Sequence, residues 1–377
     1  MDNFINGRVV AAVNTSIEQF KTSPFLGKVD YEKIEVIHTP GDNDMDIEHM
    51  VLIHLRCNRP KSVNASVARL HACPFIVFVE PNFIGDFHRV PNDPLLGELY
   101  GMNTINASAA WHCVTGHPHA LVGVLDSGVD DTHLDLIENL RIPSDPKFND
   151  IKDFTGHGTH VAGTIGAVGN NRIGITGVCW HAGMIVFKVG DRNIDLASAI
   201  TAIHYATIND IPILNCSWGG RQHSEALRFA IQQYKGLVIA SAGNTGTNND
   251  TIPMYPASYR LPNIISVAAT DQNNRLTRFS NYGERNVHIA APGADILSTA
   301  INNKYEYKSG TSMATPHVTG AAVLLKVFKP NLTTTQMRSI ILSTATRTPE
   351  TDSKVSTGIL NVGAMIDMAR NLDHHTT

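Results

Sequence analysis

From about Asn106 onward the chain repeats one alternation that leaves few folds open: short, almost wholly apolar runs separated by helix-compatible stretches. The apolar runs lie at 120–125, 184–189, 211–216, 237–241 and 264–268. None alternates cleanly between polar and apolar residues, so each reads as a strand buried on both faces. Between them, 157–167, 195–208 and 224–235 suit helices. The pattern predicts an α/β fold, a parallel sheet covered by helices on both sides. Sites in such sheets lie at the carboxyl ends of the strands. Chemistry-bearing residues are therefore sought directly after the apolar runs.

Composition sets the outer bounds. With 377 residues, 42% of them hydrophobic and 17% charged, the chain can bury one large core and one small one. A formal net charge of −4 gives nucleic acid no electrostatic foothold, and no nucleic-acid partner is expected. No apolar run approaches the ~18 residues of a membrane-spanning helix, so no membrane span is expected. The apolar patch at 9–13 is too short for the core of a signal peptide. Secretion is expected only if a leader has been removed, and an intracellular location otherwise. Five cysteines without a CxxC pair imply no zinc site and at least one free thiol per monomer.

The first ninety residues read differently. Strand-like runs at 8–13, 33–38, 50–56 and 75–80 are interleaved with helical stretches after Asn14 and over 61–72. In the second, Val63, Val67 and Leu70 recur at roughly helical spacing. A βαββαβ order predicts a small ferredoxin-like α+β domain. Residues 80–94 then carry Pro81, Pro91 and Pro94 with no sustained period, which marks a linker. The expected domains are 1–90, with that linker, and 91–377.

Four stretches of the larger part carry chemistry. Asp126 closes the first apolar run, where a carboxylate must be paired or hydrogen-bonded to be tolerated. Alone, it reads as a turn residue satisfying the backbone of Ser127-Gly128. His157 opens a helix whose Gly158, Ala162 and Gly163 permit close packing. That stretch is not GxGxxG, because position 161 is valine, and His157-x-x-His160 lacks the spacing and intervening acid of a zinc-peptidase motif. Asn244 follows the 237–241 run in a glycine turn, where Asn beside Gly is also ordinary turn chemistry. Ser312 stands before the small and apolar run 320–325, at a helix start where free N–H groups favour negative charge. Taken alone, it reads as a helix cap. Together the four supply an orienting carboxylate, a base, a nucleophile and an oxyanion donor, the parts that acyl transfer by serine requires.

The blocks Asp126-Ser127-Gly128, 157–163 (HGTHVAG) and 310–318 (GTSMATPHV) resemble the three signature blocks of subtilisin-like serine proteases, in the same Asp, His, Ser order and spaced 31 and 155 residues apart. The resemblance covers about 91–364. It implies a subtilisin-like three-layer fold with a mostly parallel central sheet, and a serine endopeptidase acting on protein or peptide substrates. It further implies Ser312 as nucleophile, His157 as general base and acid, Asp126 as its orienter, and Asn244 with the Ser312 N–H as oxyanion hole. Ser217, Trp218, Gly219 and Gly220 match the segment on which such proteases dock substrate by β-pairing. Ala242 and Gly243, with 255–257, would line an uncharged pocket favouring apolar or aromatic side chains before the scissile bond. Trp218 would either narrow the neighbouring pockets or simply pack in the core.

The same resemblance implies a structural calcium ion. Its ligands would be the side chains of Asp93, Asp135 and Asn171 and the carbonyls of Val168, Ile173 and Ile175. One residue more than usual separates His157 from that loop. The first domain resembles the propeptide that folds and inhibits its own protease, with self-cleavage expected between Asp86 and Pro91. His88 fits the family's processing point, whereas Ile84 and Phe87 favour a cut after Phe87. The rival reading is a pseudoprotease, or a regulatory protein permanently inhibited by its prodomain. Its usual sign, a substituted triad, is not seen.

Overall fold

The computed structural model describes residues 4–40, 47–83 and 89–372. By internal packing the chain divides into two units, residues 1–87 and 88–377, each taken here by itself.

The first unit runs β1 (Phe4–Val13), α1 (Ile17–Lys21), β2 (Tyr31–His38), β3 (His49–Leu55), α2 (Pro60–Leu70) and β4 (Ile76–Phe83). Its strands lie in the order β2-β3-β1-β4 and pair antiparallel throughout, the ferredoxin-like arrangement expected. α2 opens on Pro60, where a missing N–H costs no helical bond. It buries Val63 and Leu70 in a core shared with Val9, Ala11 and Ile53. α1 is little more than one turn, capped by Ser16.

The second unit opens with α3 (Tyr100–Thr104) and α4 (Ala107–Trp111), then continues β5 (Gly116–Asp126), β6 (Leu140–Arg141), α5 (His157–Gly166), β7 (His181–Lys188), α6 (Leu196–Ile208) and β8 (Ile213–Cys216). Next come α7 (Glu225–Gln233), β9 (Leu237–Ser241), β10 (Ile264–Thr270), β11 (Ile289–Pro292), β12 (Ile296–Ala300) and β13 (Lys304–Lys308). The helices α8 (Thr311–Phe328), α9 (Thr334–Ser343) and α10 (Val362–Asn371) close it. Seven strands form one sheet in the order β11-β10-β9-β8-β5-β7-β6, every pair parallel, and β12 with β13 forms a separate antiparallel hairpin.

The apolar runs supply both faces of that sheet, as period-2 geometry demands. Val122, Val124, Leu237 and Ile239 belong to the core under α5 and α8, whereas Leu125, Leu214, Val238 and Ala240 belong to the one under α6 and α7. The strand order reverses at β5. The chain proceeds to β6 and β7 on one side and then to β8 through β11 on the other. The crevice beyond the carboxyl ends of β5 and β8 is thus the expected place for a site. Among the described residues no helix is long and apolar enough to cross a membrane.

Helix α5 approaches β12 closely. The hydroxyls of Ser298 and Thr299 donate to the carbonyls of His160 and Thr159, both at 2.7 Å. A Cβ at Gly163 would collide with both hydroxyls. Gly163→Val is expected to cost about 1–3 kcal/mol through overpacking. A thermal melt should show a lowered midpoint, while Gly97→Ala, whose Cβ meets nothing within 4 Å, should melt as the parent does.

Candidate active site

Asp126 is the last residue of β5 and only 2% exposed. Its Oδ1 accepts from the Ser127 N–H at 2.8 Å and faces His157 Nδ1 at 2.6 Å. The bond to Nδ1 leaves His157 Nε2 as the free ring nitrogen of a neutral imidazole. The Asp126 charge raises the His157 pKa, against burial and the nearby Lys308 ammonium, which lower it. Glycine makes this approach possible, since a Cβ at Gly158 would collide with the Gly128 carbonyl and crowd Asp126.

A residue passed over in the sequence sets the height of His157. Asp153 is buried, and its carboxylate accepts the N–H groups of Thr155, Gly156 and Thr159 at 2.9–3.0 Å. It also accepts the hydroxyls of Ser127 and Thr159 at 2.9 and 2.7 Å. It therefore caps the start of α5 and ties it to the end of β5. Burial pushes its carboxyl up, but the donors from Thr159, Thr155 and Ser127 outweigh that and hold it below the ordinary carboxylate range. The D-x-x-x-H spacing before the helix was the signal that would have found it.

Ser312 is the second residue of α8. Pro316, inside the helix, has no N–H to give the carbonyl four residues back, which is that of Ser312. Ser217 Oγ fills the gap, donating to the Ser312 carbonyl at 2.9 Å while accepting from Asn215 Nδ2 at 2.9 Å. Thr319 Oγ1 in turn donates to Asn215 Oδ1 at 2.8 Å. The Ser312 hydroxyl donates to the Ser217 carbonyl at 2.8 Å rather than to the imidazole. Asn244 accepts at Oδ1 from the Thr311 N–H at 2.8 Å and from its hydroxyl at 2.9 Å, which fixes which end of the amide remains available as donor. Thr311 Oγ1 accepts from the Gly243 N–H at 3.1 Å.

These groups share a cavity of about 850 Å³. Asp126, His157, Ser312 and Asn244 line it, with Ser217, Trp218, Gly219, Gly220 and Gly243. Ala242 does not. It is fully buried, packed with Ala268 and Val287, because alternation along the strand end turns 241 and 243 to the cleft and 242 to the core. Ala257 is likewise buried, and Met254 and Tyr255 provide the wall instead. Gly220 is already paired with Tyr255 through both its N–H and its carbonyl, so the open backbone edge is shorter than expected. The Trp218 indole donates to the Leu125 carbonyl at 2.9 Å, beside Asp126.

Of the six residues expected around calcium, Asp93, Asp135, Val168 and Ile175 are buried. Asp93 accepts from the N–H groups of Asn170 and Asn171 at 2.8 and 3.4 Å. Asp135 accepts from the Ile175 N–H at 2.9 Å and from Asn171 Nδ2 at 2.8 Å. Tyr305, on β13, donates its hydroxyl to Asp135 at 3.1 Å. Burial pushes both carboxyls up, and for Asp135 the charge of Asp93 adds to it. Asn171 turns its nitrogen to Asp135 and its oxygen to the Ile173 N–H at 2.7 Å, so the amide must rotate before it can be a ligand. Among the described residues no group of three or more His, Cys, Asp or Glu side chains converges as a metal site. The same hairpin strand holds α5: the Glu306 carbonyl lies 3.0 Å from His160 Nε2, and Lys308 Nζ donates to the Gly156 carbonyl at 3.0 Å.

An all-parallel sheet with an aspartate–histidine couple and a helix-borne serine at one crevice defines the class of subtilisin-type serine peptidases. Residues 118–360 match the Subtilase family, and the chain belongs to it. It is similar to a thermophilic serine proteinase of Bacillus sp. strain AK1, 39% identical over 272 residues, with 70% of this chain and 66% of that protein covered. Subtilisin NAT of Bacillus subtilis subsp. natto is 36% identical over 294 residues, covering 74% and 73%. Subtilisin-like protease 2 of Plasmodium falciparum is 37% identical over 248 residues, which span 60% of this chain but 18% of that protein. A solved protease from Pseudoalteromonas arctica superposes with a TM-score of 0.66 at 29% identity, covering 74% of this chain and 99% of that one.

Replacing Asp153 by alanine should cost about 2–4 kcal/mol at pH 7, since several buried N–H groups lose a charged acceptor. A depressed folded pKa gives stability that is full above about pH 4 and lost as pH falls through the folded value. Urea melts of parent and Asp153→Ala should therefore converge in acid.

Proposed function

We propose that the chain is a serine endopeptidase that cleaves peptide bonds through an acyl-enzyme. The reading rests most on the 2.6 Å contact between Asp126 and His157 in a cleft shared with Ser312 and Asn244. Ser312 Oγ turns from the Ser217 carbonyl to His157 Nε2 as substrate arrives, in keeping with catalytic bonds that tighten only in the complex. His157 takes the hydroxyl proton as Oγ attacks the scissile carbonyl, and Asp126 stabilises the imidazolium. The tetrahedral oxyanion receives Asn244 Nδ2 and the Ser312 N–H at the positive end of α8. His157 then gives its proton to the leaving amine, and water repeats the cycle on the ester. Asn244→Ala should lower kcat about 10²- to 10³-fold with little change in KM. Ser312→Ala should abolish turnover and labelling by a fluorophosphonate probe; labelling that survives it would sink the assignment.

Residues 1–90 are read as a prodomain that assists folding and then occupies the cleft, inhibiting its own protease, with 91–377 as the catalytic domain. A separate antiparallel core in the first unit supports this. The self-cleaved bond lies between Asp86 and Pro91; its candidate points Phe87 and His88, and Ile84, which with Phe87 favours the first, fall outside the described residues.

The Asp93 and Asp135 carboxylates fit a hard cation: both are buried, and no cationic side chain pairs with either among the described residues. Calcium there would take those two carboxylates, the rotated Asn171 amide and the carbonyls of Val168, Ile173 and Ile175. It would brace the loop without touching the chemistry. Raised folded pKa values make the ionised pair a cost at neutral pH that a cation offsets. Calcium at 100 times its Kd should add about 2.7 kcal/mol. An unchanged melting midpoint after chelation would remove the site.

A further inference from the structure

Around the cleft, among the described residues, each acid is engaged by a neighbour, whereas two arginines are not. Asp126, the most buried acid of the lining, is tied to His157. Asp191 is paired with Lys188 at 3.0 Å, and Asp195 is taken up capping α6 through the Ser198 N–H and hydroxyl. Glu225 lies 3.7 Å from His223 and 3.8 Å from Arg228. Arg192, exposed on the cleft wall, makes no ion pair among the described residues. Arg221, just past Gly220, has none either.

An unpaired arginine on open surface is ordinary. Arg192 differs because it lines the same cavity as Ser312, Trp218 and Gly219, so a peptide laid along Trp218-Gly219 would displace water beside it and strengthen its field on the peptide. Next to it Ile194, Leu196 and Leu227 give the same cavity an apolar floor for the stem of a long side chain. A guanidinium fork matches a carboxylate in shape as well as charge. Resting on the endopeptidase reading, the geometry points to a substrate class: peptides with an acidic side chain on the acyl side of the scissile bond, received by Arg192. A lysine there meets a guanidinium that no ion pair engages and is disfavoured.

The test uses the full chain and matched peptides carrying Glu, Gln or Lys at each of the four positions before the cleaved bond. At one position kcat/KM should fall in the order Glu, Gln, Lys, with steps of roughly three- to tenfold that shrink in 0.5 M salt. Arg192→Glu should invert the order and Arg192→Ala should flatten it, both melting as the parent does. The same order should appear in fluorescence-anisotropy binding to the Ser312→Ala protein, which needs no turnover. Binding that follows Arg192 while the parent cleaves nothing would uphold the charge preference and end the endopeptidase reading. An order untouched by Arg192→Glu, or inverted only by Arg221→Glu, overturns the assignment to Arg192.

Discussion

Much of the second unit is arranged so that one carboxylate can stand at a strand end without water. Asp126 is almost fully buried, and a lone ion there would be intolerable. Its tolerance depends on the Ser127 N–H and the His157 ring, so the start of α5 must come within bonding distance of the end of β5. That approach requires bare backbone at Gly158 and an anchor for the chain entering α5, an acid that takes three N–H groups there. Asp153 is the anchor. One acid thus positions the helix, and the helix positions the partner of the other acid.

The serine is held by a different economy. A proline within α8 forfeits one helical bond, and the forfeited acceptor is the carbonyl of Ser312 itself. Ser217 takes it, and the buried amide of Asn215 holds Ser217 in place. The extended segment beyond β8 and the first turn of α8 are therefore registered to each other by hydrogen bonds rather than by packing. The Ser312 hydroxyl and the extended segment 217–220 share one reference point.

The large features were legible because periodicity and burial encode them. Unbroken apolar runs gave β5, β7, β8, β9 and β10, and the two parts of the chain differ in pattern enough to be read apart. β11 and the β12–β13 hairpin escaped notice, since four or five residues such as Ile289–Pro292 carry too little period to stand out. Asp126, His157, Asn244 and Ser312 could be picked by residue type and by position at strand ends or helix starts. Asn215 and Thr311 could not, because their importance lies in what they bond to across long stretches of chain, whereas Asp153 sits at a local D-x-x-x-H spacing from His157. Ala242 was misread for the opposite reason: which of two successive residues faces a cleft depends on the strand's final half-turn, which composition does not record.

The β12–β13 hairpin links parts that lie far apart in the chain. Within four residues, Tyr305 touches the acid beneath the 170–175 loop, the Glu306 carbonyl meets His160, and Lys308 reaches the residue before His157. The loop and the imidazole are consequently fastened to one short plank. A change at the loop that reaches Tyr305 bears on the same strand that holds the residue before His157. The anchoring of the loop and the seating of the imidazole thus have a common support, and neither can be altered through that strand without bearing on the other.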